Sequence, residues 1–414
     1  MPRFYDFFAG AGLAGLGLGP RWQCVWANDV DEAKRQVYAA NFGEEHFVCG
    51  DVAGIQASQL PVPVDMAWAS FPCQDLSLAG WRRGISADRS GTFWAFWRIM
   101  RDLMETGGRP PVIVIENVAG LLYGDSFIGF CEALTALNMQ FGALLIDAKH
   151  FLPQSRPRVF VVCVDSRVDC SGFVAEEPAG LWAPKSLLAA HGLLGEEGRR
   201  LWRWWSLPCP SAKPQPVNRL IERDPGGVEW HTREQTARLL AMMNERNRAK
   251  VDSALAGGKR HVGFLYKRMR DGVQRAEVRF DGISGCLRTP AGGSSRQTVV
   301  EVDNKRIRTR LLAPREAARL MGAPDSFILS GRYNHAYKAM GDGVAVPAVR
   351  WLSEQLLLPL TEHVQSVFSE AAQEEDAGAV KDKFRKSSER RAAEWRASVP
   401  FASAREPKPP RSQG

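Results

Sequence analysis

Four residues have the types and settings to do chemistry together: Cys73, Glu116, Arg156 and Arg158. Cys73 lies in Ser70-Phe71-Pro72-Cys73-Gln74-Asp75-Leu76-Ser77, just after an apolar run at 64–69 short enough for a buried strand. Pro72 fixes φ and pushes Phe71 towards an extended conformation, so the thiol is presented from a stiff turn. A cysteine there is either a half-buried strand cap or, once ionised, a nucleophile. Glu116 ends the central run Val112-Ile113-Val114-Ile115, and a carboxylate at that place either meets a ligand or caps the next helix. Arg156 and Arg158, two apart at the start of the run 159–164, point to the same side of a strand. An anion, a carbonyl oxygen or a surface ion pair would suit them.

These residues need a scaffold that gathers strand ends. Residues 3–8 read as a strand feeding the glycine-rich turn Ala9-Gly10-Ala11-Gly12-Leu13-Ala14-Gly15, which opens a helix. Such a turn lets the backbone approach a ligand and aims helix amides at it. The next strands, 23–27 and 47–49, end at Asn28-Asp29 and Gly50-Asp51-Val52. A glycine turn followed by two strand-end acids describes an adenosine site at the C-terminal edge of an open α/β sheet. The GKS/T of a phosphate loop is absent.

The remaining chain follows the same rhythm only in part. Residues 78–91 read as a mobile loop, 92–106 and 127–137 as helices, and 141–148 as a strand. From about 165 to 305 the alternation stops, with tryptophan, proline and arginine frequent and 233–255 the clearest helix. Residues 289–297 form a polar glycine loop in which Arg296 and Gln297 are suited to guanine and adenine edges. Helices are expected from Ala313 and from 347 to about 366, and 367–414 reads as a charged, disordered tail.

Composition sets outer limits. The 414 residues carry a net charge of +8, but 199–310 holds 24 Lys/Arg against 11 Asp/Glu. An excess of +13 in one block, and +6 in 381–414, is expected of parts that face a polyanion. Eight cysteines stand singly without a CxxC pair, which speaks against a zinc site or a disulfide framework. With no signal segment and no apolar run long enough to span a membrane, a reduced cytoplasmic protein is expected.

In order along the chain stand DFFAGAG, AND, GDV, FPCQDLS, DRSGTF, ENV, QSRPR, RLLAPREAARLMGAPDSF and YKAMGDGVAVP. By these nine motifs, from Phe4 to about Glu354, the chain resembles the cytosine-5 DNA methyltransferase family. The resemblance implies a Rossmann-like α/β sheet that binds S-adenosylmethionine, with a smaller, irregular target-recognition domain. It divides the chain into a catalytic and cofactor-binding domain at 1–165, target recognition at 166–310, last motifs returning at 311–366 and the tail. It makes Cys73 the nucleophile towards carbon 6 of a flipped-out cytosine in duplex DNA. Glu116 becomes the carboxylate on ring N3 and the amine, Arg158 the partner of the cytosine carbonyl, and Arg156 its support. Phe8, Gly10, Gly12, Asp29, Val30, Asp51, Val52, Pro72 and Asp342 take cofactor positions, and Ser77, Arg296, Gln297 and Thr298 face DNA. Leu13 replaces the usual glycine, Asp29 the commoner glutamate and Asp342 the usual asparagine. The resemblance further implies a monomer that associates with the nucleoid and leaves room for a restriction endonuclease acting on the same site. A transfer RNA substrate and a non-catalytic DNA-binding role are the rival readings.

Overall fold

The computed structural model describes residues 1–72, 91–123, 125–178, 180–211, 213–270, 272–287 and 296–373, apart from the side chains of 125 and 126. The chain divides into two compact units, 1–362 and 363–414; of the second, the described residues 363–373 are helical.

Seven strands form the main sheet: β1 (Arg3–Phe7), β2 (Gln23–Asp29), β3 (Phe47–Cys49), β4 (Met66–Ala69), β5 (Val112–Val118), β6 (Met139–Asp147) and β7 (Pro157–Asp165). Their order is β3-β2-β1-β4-β5-β7-β6, parallel from β3 to β5 and antiparallel for the last two pairs. This is a Rossmann-like sheet, and its strand order reverses between β1 and β4, where such sheets open a ligand crevice. β4 and β5 are apolar on both faces, as a strand covered by helices on both sides must be. Helix Thr92–Glu105 buries Phe93, Phe96, Ile99, Met100 and Leu103 at helical spacing in the core that also holds Phe7, Trp26 and Ile115. Near the glycine-rich turn, helix Leu13–Leu18 lies so close to helix Val346–Leu352 that a Cβ on Gly17 would sit 2.5 Å from Val349.

Because β7 runs antiparallel to β5, its first residues lie beside the end of β5, with Val118 opposite Arg158. That topology brings Arg158, 42 positions on in sequence, to Glu116.

Beyond β7 the structure is more regular than the sequence suggests. A two-stranded ribbon, β8 (Val174–Ala175) and β9 (Trp204–Trp205), precedes a four-stranded antiparallel sheet in the order β11-β10-β12-β13. Its strands are β10 (His261–Arg270), β11 (Val273–Arg279), β12 (Thr298–Asp303) and β13 (Arg306–Leu311). Polar residues on both faces near the tip of its β10–β11 hairpin, Lys267, Arg268, Arg270, Gln274 and Arg275, hide the period-two alternation. The helix expected over 233–255 is two helices, Arg233–Ala241 and Glu245–Ala256. Asn244 breaks it by capping the second helix with its side chain on Asn247 N–H, while the Met242 carbonyl accepts from Ala276 N–H. The last helix contains one wide turn, Ser353–Leu357, beginning where Ser353 bonds Trp22 and the Leu18 carbonyl.

Candidate active site

A cleft of about 1130 Å³ runs along the edge where β1, β2, β4 and β5 end and β7 begins. On the β1/β2 side its wall starts with Phe8, held at φ 59°, followed by Gly10 at 58° and Gly12 at 80°. Positive φ strains a phenylalanine and not a glycine. Gly12 is doubly constrained, since a Cβ there would meet the Phe42 ring at 2.4 Å. Asp29, at the end of β2, ties the turn down: its Oδ2 accepts from Gly10 N–H at 2.9 Å and its Oδ1 from Asp31 N–H at 2.8 Å. Asp51 caps the turn Val52–Gly54 through Ala53 N–H, and Val52 is buried beside it. Val30 is the opposite, an apolar side chain 71% exposed on the cleft wall. Pro72 also lines the cleft.

Asp342 closes this side by pairing with Lys34 at 3.0 Å. Burial opposes the charge on Lys34, but Asp29, Asp342 and Asp31 outweigh it and raise its pKa. Lys338 pairs with Asp31 and, against burial, helps to hold that carboxyl below its usual range. The acid that stands for the expected asparagine is therefore matched by a lysine. Leu13, the other departure, packs on Gly343, where any Cβ would meet it at 2.5 Å.

Asp6 was not among the residues singled out from the sequence. It is buried on the cleft wall, and neither carboxylate oxygen has a hydrogen-bond partner among the described residues. Burial, with Asp29 nearby, pushes its pKa up to about 8. The only sequence signal was a charge inside the otherwise apolar strand that follows Arg3.

On the β5/β7 side, Glu116 and Arg158 pair at 2.9 Å, their side chains 9% and 14% exposed. Glu116 does not cap the turn Ala119–Leu122, which has no side-chain cap. Asn117 donates to the Phe71 carbonyl at 3.0 Å and so fixes the end of β5 to the segment that leads to Cys73. Cys73 and Ser77 themselves lie outside the described residues.

Arg156 and Arg158 do not act alike. Arg156 is fully buried and donates to the carbonyls of Leu287, Gly341 and Gly343 at 3.1, 2.9 and 2.6 Å. Burial, and then Arg158, lowers its pKa to about 10. Its guanidinium holds three backbone carbonyls together, the work of a positioning residue. Gln154 does similar work, donating to the Leu320 carbonyl and accepting from Leu287 N–H.

The base-reading expectation for Gln297 and Thr298 needs correction. Gln297 is buried, its amide oxygen accepting from Gly285 N–H at 2.9 Å and its nitrogen donating to Gly285 O at 3.2 Å. Thr298 is buried as the first residue of β12. Arg296 lies over the Tyr333 ring, 5.3 Å from its centre. Gln297 and Thr298 are committed within the protein, whereas Arg296 is partly exposed.

The family model for C-5 cytosine-specific DNA methylase matches residues 2–357. The chain belongs to that family. Among similar proteins, the type II methyltransferase M.DsaV of Dactylococcopsis salina is 30% identical, over 87% of this chain and 88% of its own. M.HpaII of Haemophilus parainfluenzae is 26% identical over 86% and 88%. The fold matches the S. pombe Dnmt2 methyltransferase with a TM-score of 0.58 at 15% identity, over 87% of this chain and 99% of that one. It also matches the Entamoeba histolytica methyltransferase EhMeth with a TM-score of 0.55 at 14% identity, over 86% and 97%. The methylase is thus a DNA cytosine-C5 methyltransferase of restriction-modification type, and its methyl donor is S-adenosylmethionine. The cleft fits that donor: unpartnered Asp6 suits a cationic group, Asp29 a ribose and exposed Val30 the face of a base. No described helix is long and apolar enough to cross a membrane.

Proposed function

We propose that the methylase moves a methyl group to carbon 5 of a flipped-out cytosine in a specific duplex DNA sequence, through a covalent Cys73–cytosine adduct. The observation that supports this most is the Glu116–Arg158 pair, on the same cleft as the acids suited to the donor. A target inside the helix cannot enter such a cleft, so it is flipped out at a cost of a few kcal/mol.

Carbon 5 of cytosine is a poor nucleophile. Addition of the Cys73 thiolate to carbon 6 makes it enamine-like and sends negative charge to ring N3, which Glu116, acting as an acid, neutralises by giving N3 a proton while it accepts from the amine. Arg158 turns from Glu116 to the cytosine carbonyl oxygen while Arg156 holds the strand start in place. S-adenosylmethionine supplies the methyl group that carbon 5 takes. Loss of the carbon 5 proton then returns an electron pair to the ring and expels Cys73 as thiolate. Phe8, Gly10, Gly12, Asp29, Val30, Asp51, Val52, Pro72 and Asp342 would hold the donor, with Asp6 facing a cationic end.

The same reading assigns catalysis to 1–165, target recognition to 166–310 and the last motifs to 311–366. It describes a cytoplasmic monomer that meets the nucleoid on DNA and protects sites from a cognate endonuclease. Tritiated methyl transfer to duplex DNA and to transfer RNA, measured side by side, tests the substrate. Label in DNA is expected; label in transfer RNA alone would overturn it.

A further inference from the structure

Lys34 and Asp342 each carry a charge at the end of a helix that opposes it. Lys34 is the third residue of helix Glu32–Phe42, and the N-terminal end of a helix favours acids. Asp342 is the last residue of helix Tyr333–Asp342, and the C-terminal end favours cations. Helix stability therefore accounts for neither. Their pair at 3.0 Å does join the two helices. Asp31 and Lys338 already join the same two, with Asp31 as the N-cap its helix favours.

What lies beside the pair is Asp29. A Cβ on Gly10 would stand 3.9 Å from both Asp29 Oδ2 and Lys34 Cδ, so the carboxylate and the lysine stem flank one spot of the cleft wall. The ammonium lies two bonds beyond Cδ on a flexible stem, which gives it Asp29 as an alternative to Asp342. Asp29 is also among the acids that, against burial, hold Lys34 protonated. A carboxylate has about four acceptor sites, and the N–H groups of Gly10 and Asp31 take one on each oxygen of Asp29. Asp342, for its part, is fixed by its backbone, since Arg156 holds the carbonyls of Gly341 and Gly343 on either side.

We infer that Asp342 keeps Lys34 turned away from Asp29, and so leaves Asp29 open to the ribose hydroxyls of the donor. Lys34 and Asp342 are thereby a positioning pair that sets donor affinity. The inference rests on the reading above, which gives Asp29 to the ribose. An ammonium on Asp29 would fill an acceptor site and offset the charge that strengthens a hydrogen bond from a hydroxyl. Asp342→Asn removes the charge that holds Lys34, so the lysine moves to Asp29 and competes with the donor. Removing the lysine as well ends the competition.

Titration calorimetry measures binding of S-adenosylmethionine, of its product S-adenosylhomocysteine and of the 2′,3′-dideoxy analogue of that product. The proteins are the wild type, Asp342→Asn, Lys34→Met, the double variant and Asp29→Asn, each checked for its fold by a thermal melt. Asp342→Asn should lose roughly tenfold on the two ligands with ribose hydroxyls, the worth of one charged hydrogen bond, and nothing on the dideoxy analogue. Lys34→Met should bind within a few fold of wild type, and adding it to Asp342→Asn should recover most of the loss. Wild-type affinity in Asp342→Asn overturns the inference. A double variant as weak as Asp342→Asn does so too, by making Asp342 a direct contact of the donor. Equal loss on the dideoxy analogue does the same, by marking a general distortion. An Asp29→Asn variant that binds all three ligands as the wild type does rejects the ribose assignment and the inference with it. A weakened Asp29→Asn beside an unaffected Asp342→Asn rejects the inference alone.

Discussion

Asp6 is the residue whose surroundings most demand a ligand, because a buried carboxylate without a donor costs free energy until a cation arrives. Its folded pKa of about 8 stands above the ~3.9 of an unfolded chain. Between those values the unfolded chain has released a proton that the folded chain keeps, so the group's contribution to stability falls as pH rises from ~4 to 8. We predict that the donor-free wild type loses thermal stability relative to Asp6→Asn as pH rises across that window, and that the variant binds S-adenosylmethionine at least about tenfold more weakly. Thermal melts across pH with titration calorimetry check this; an Asn variant with the wild-type slope and affinity contradicts it. Glu116→Gln keeps the shape of the pair with Arg158 and removes the charge. Turnover should fall roughly 100–1000-fold while DNA affinity stays within a few fold, because the carboxylate counts most when charge develops on the ring. Steady-state kinetics beside DNA binding separate the two, and a loss confined to binding would make Glu116 a structural residue.

At the scale of elements, the last motifs are part of the active site's frame. Arg156 clasps the carbonyls on either side of Asp342, and Leu13 fills the space beside Gly343. We predict that Gly343→Ala destabilises by about 1–3 kcal/mol through overpacking. Adding Leu13→Ala should recover most of that, as read from denaturant melts of the two single variants and the double variant. Equal melts for Gly343→Ala with and without Leu13→Ala would count against the contact. The strand ends that carry Gly10, Asp29 and Glu116 were legible in sequence because short apolar runs stop at polar residues. The split roles of Arg156 and Arg158 were not, since their spacing says they share a side and not which carbonyls lie above it. The four-stranded sheet was hidden for a similar reason. Near the tip of its hairpin both faces are polar, with Lys267, Arg268 and Arg270 on one strand and Gln274 and Arg275 on the other, which erases the apolar–polar alternation that marks a strand.

At the scale of the molecule, basic charge is gathered in 199–310 and in 381–414, the latter outside the described residues. Phosphate contacts give affinity that is steep in salt, and base contacts give sequence choice. Deleting 381–414 should therefore weaken binding about equally for all sequences and flatten the salt dependence, leaving the methylated motif unchanged. A methylation map with binding at two salt concentrations checks this, and a changed motif contradicts it. A covalent step at Cys73, in a cleft that binds its donor independently, is tested by Cys73→Ala. Bisulfite sequencing of host DNA should show no methylation by the variant, while calorimetry finds S-adenosylmethionine bound within a few fold of wild type. Methylation surviving in the Cys73→Ala variant, or donor binding lost with the fold intact, would contradict it.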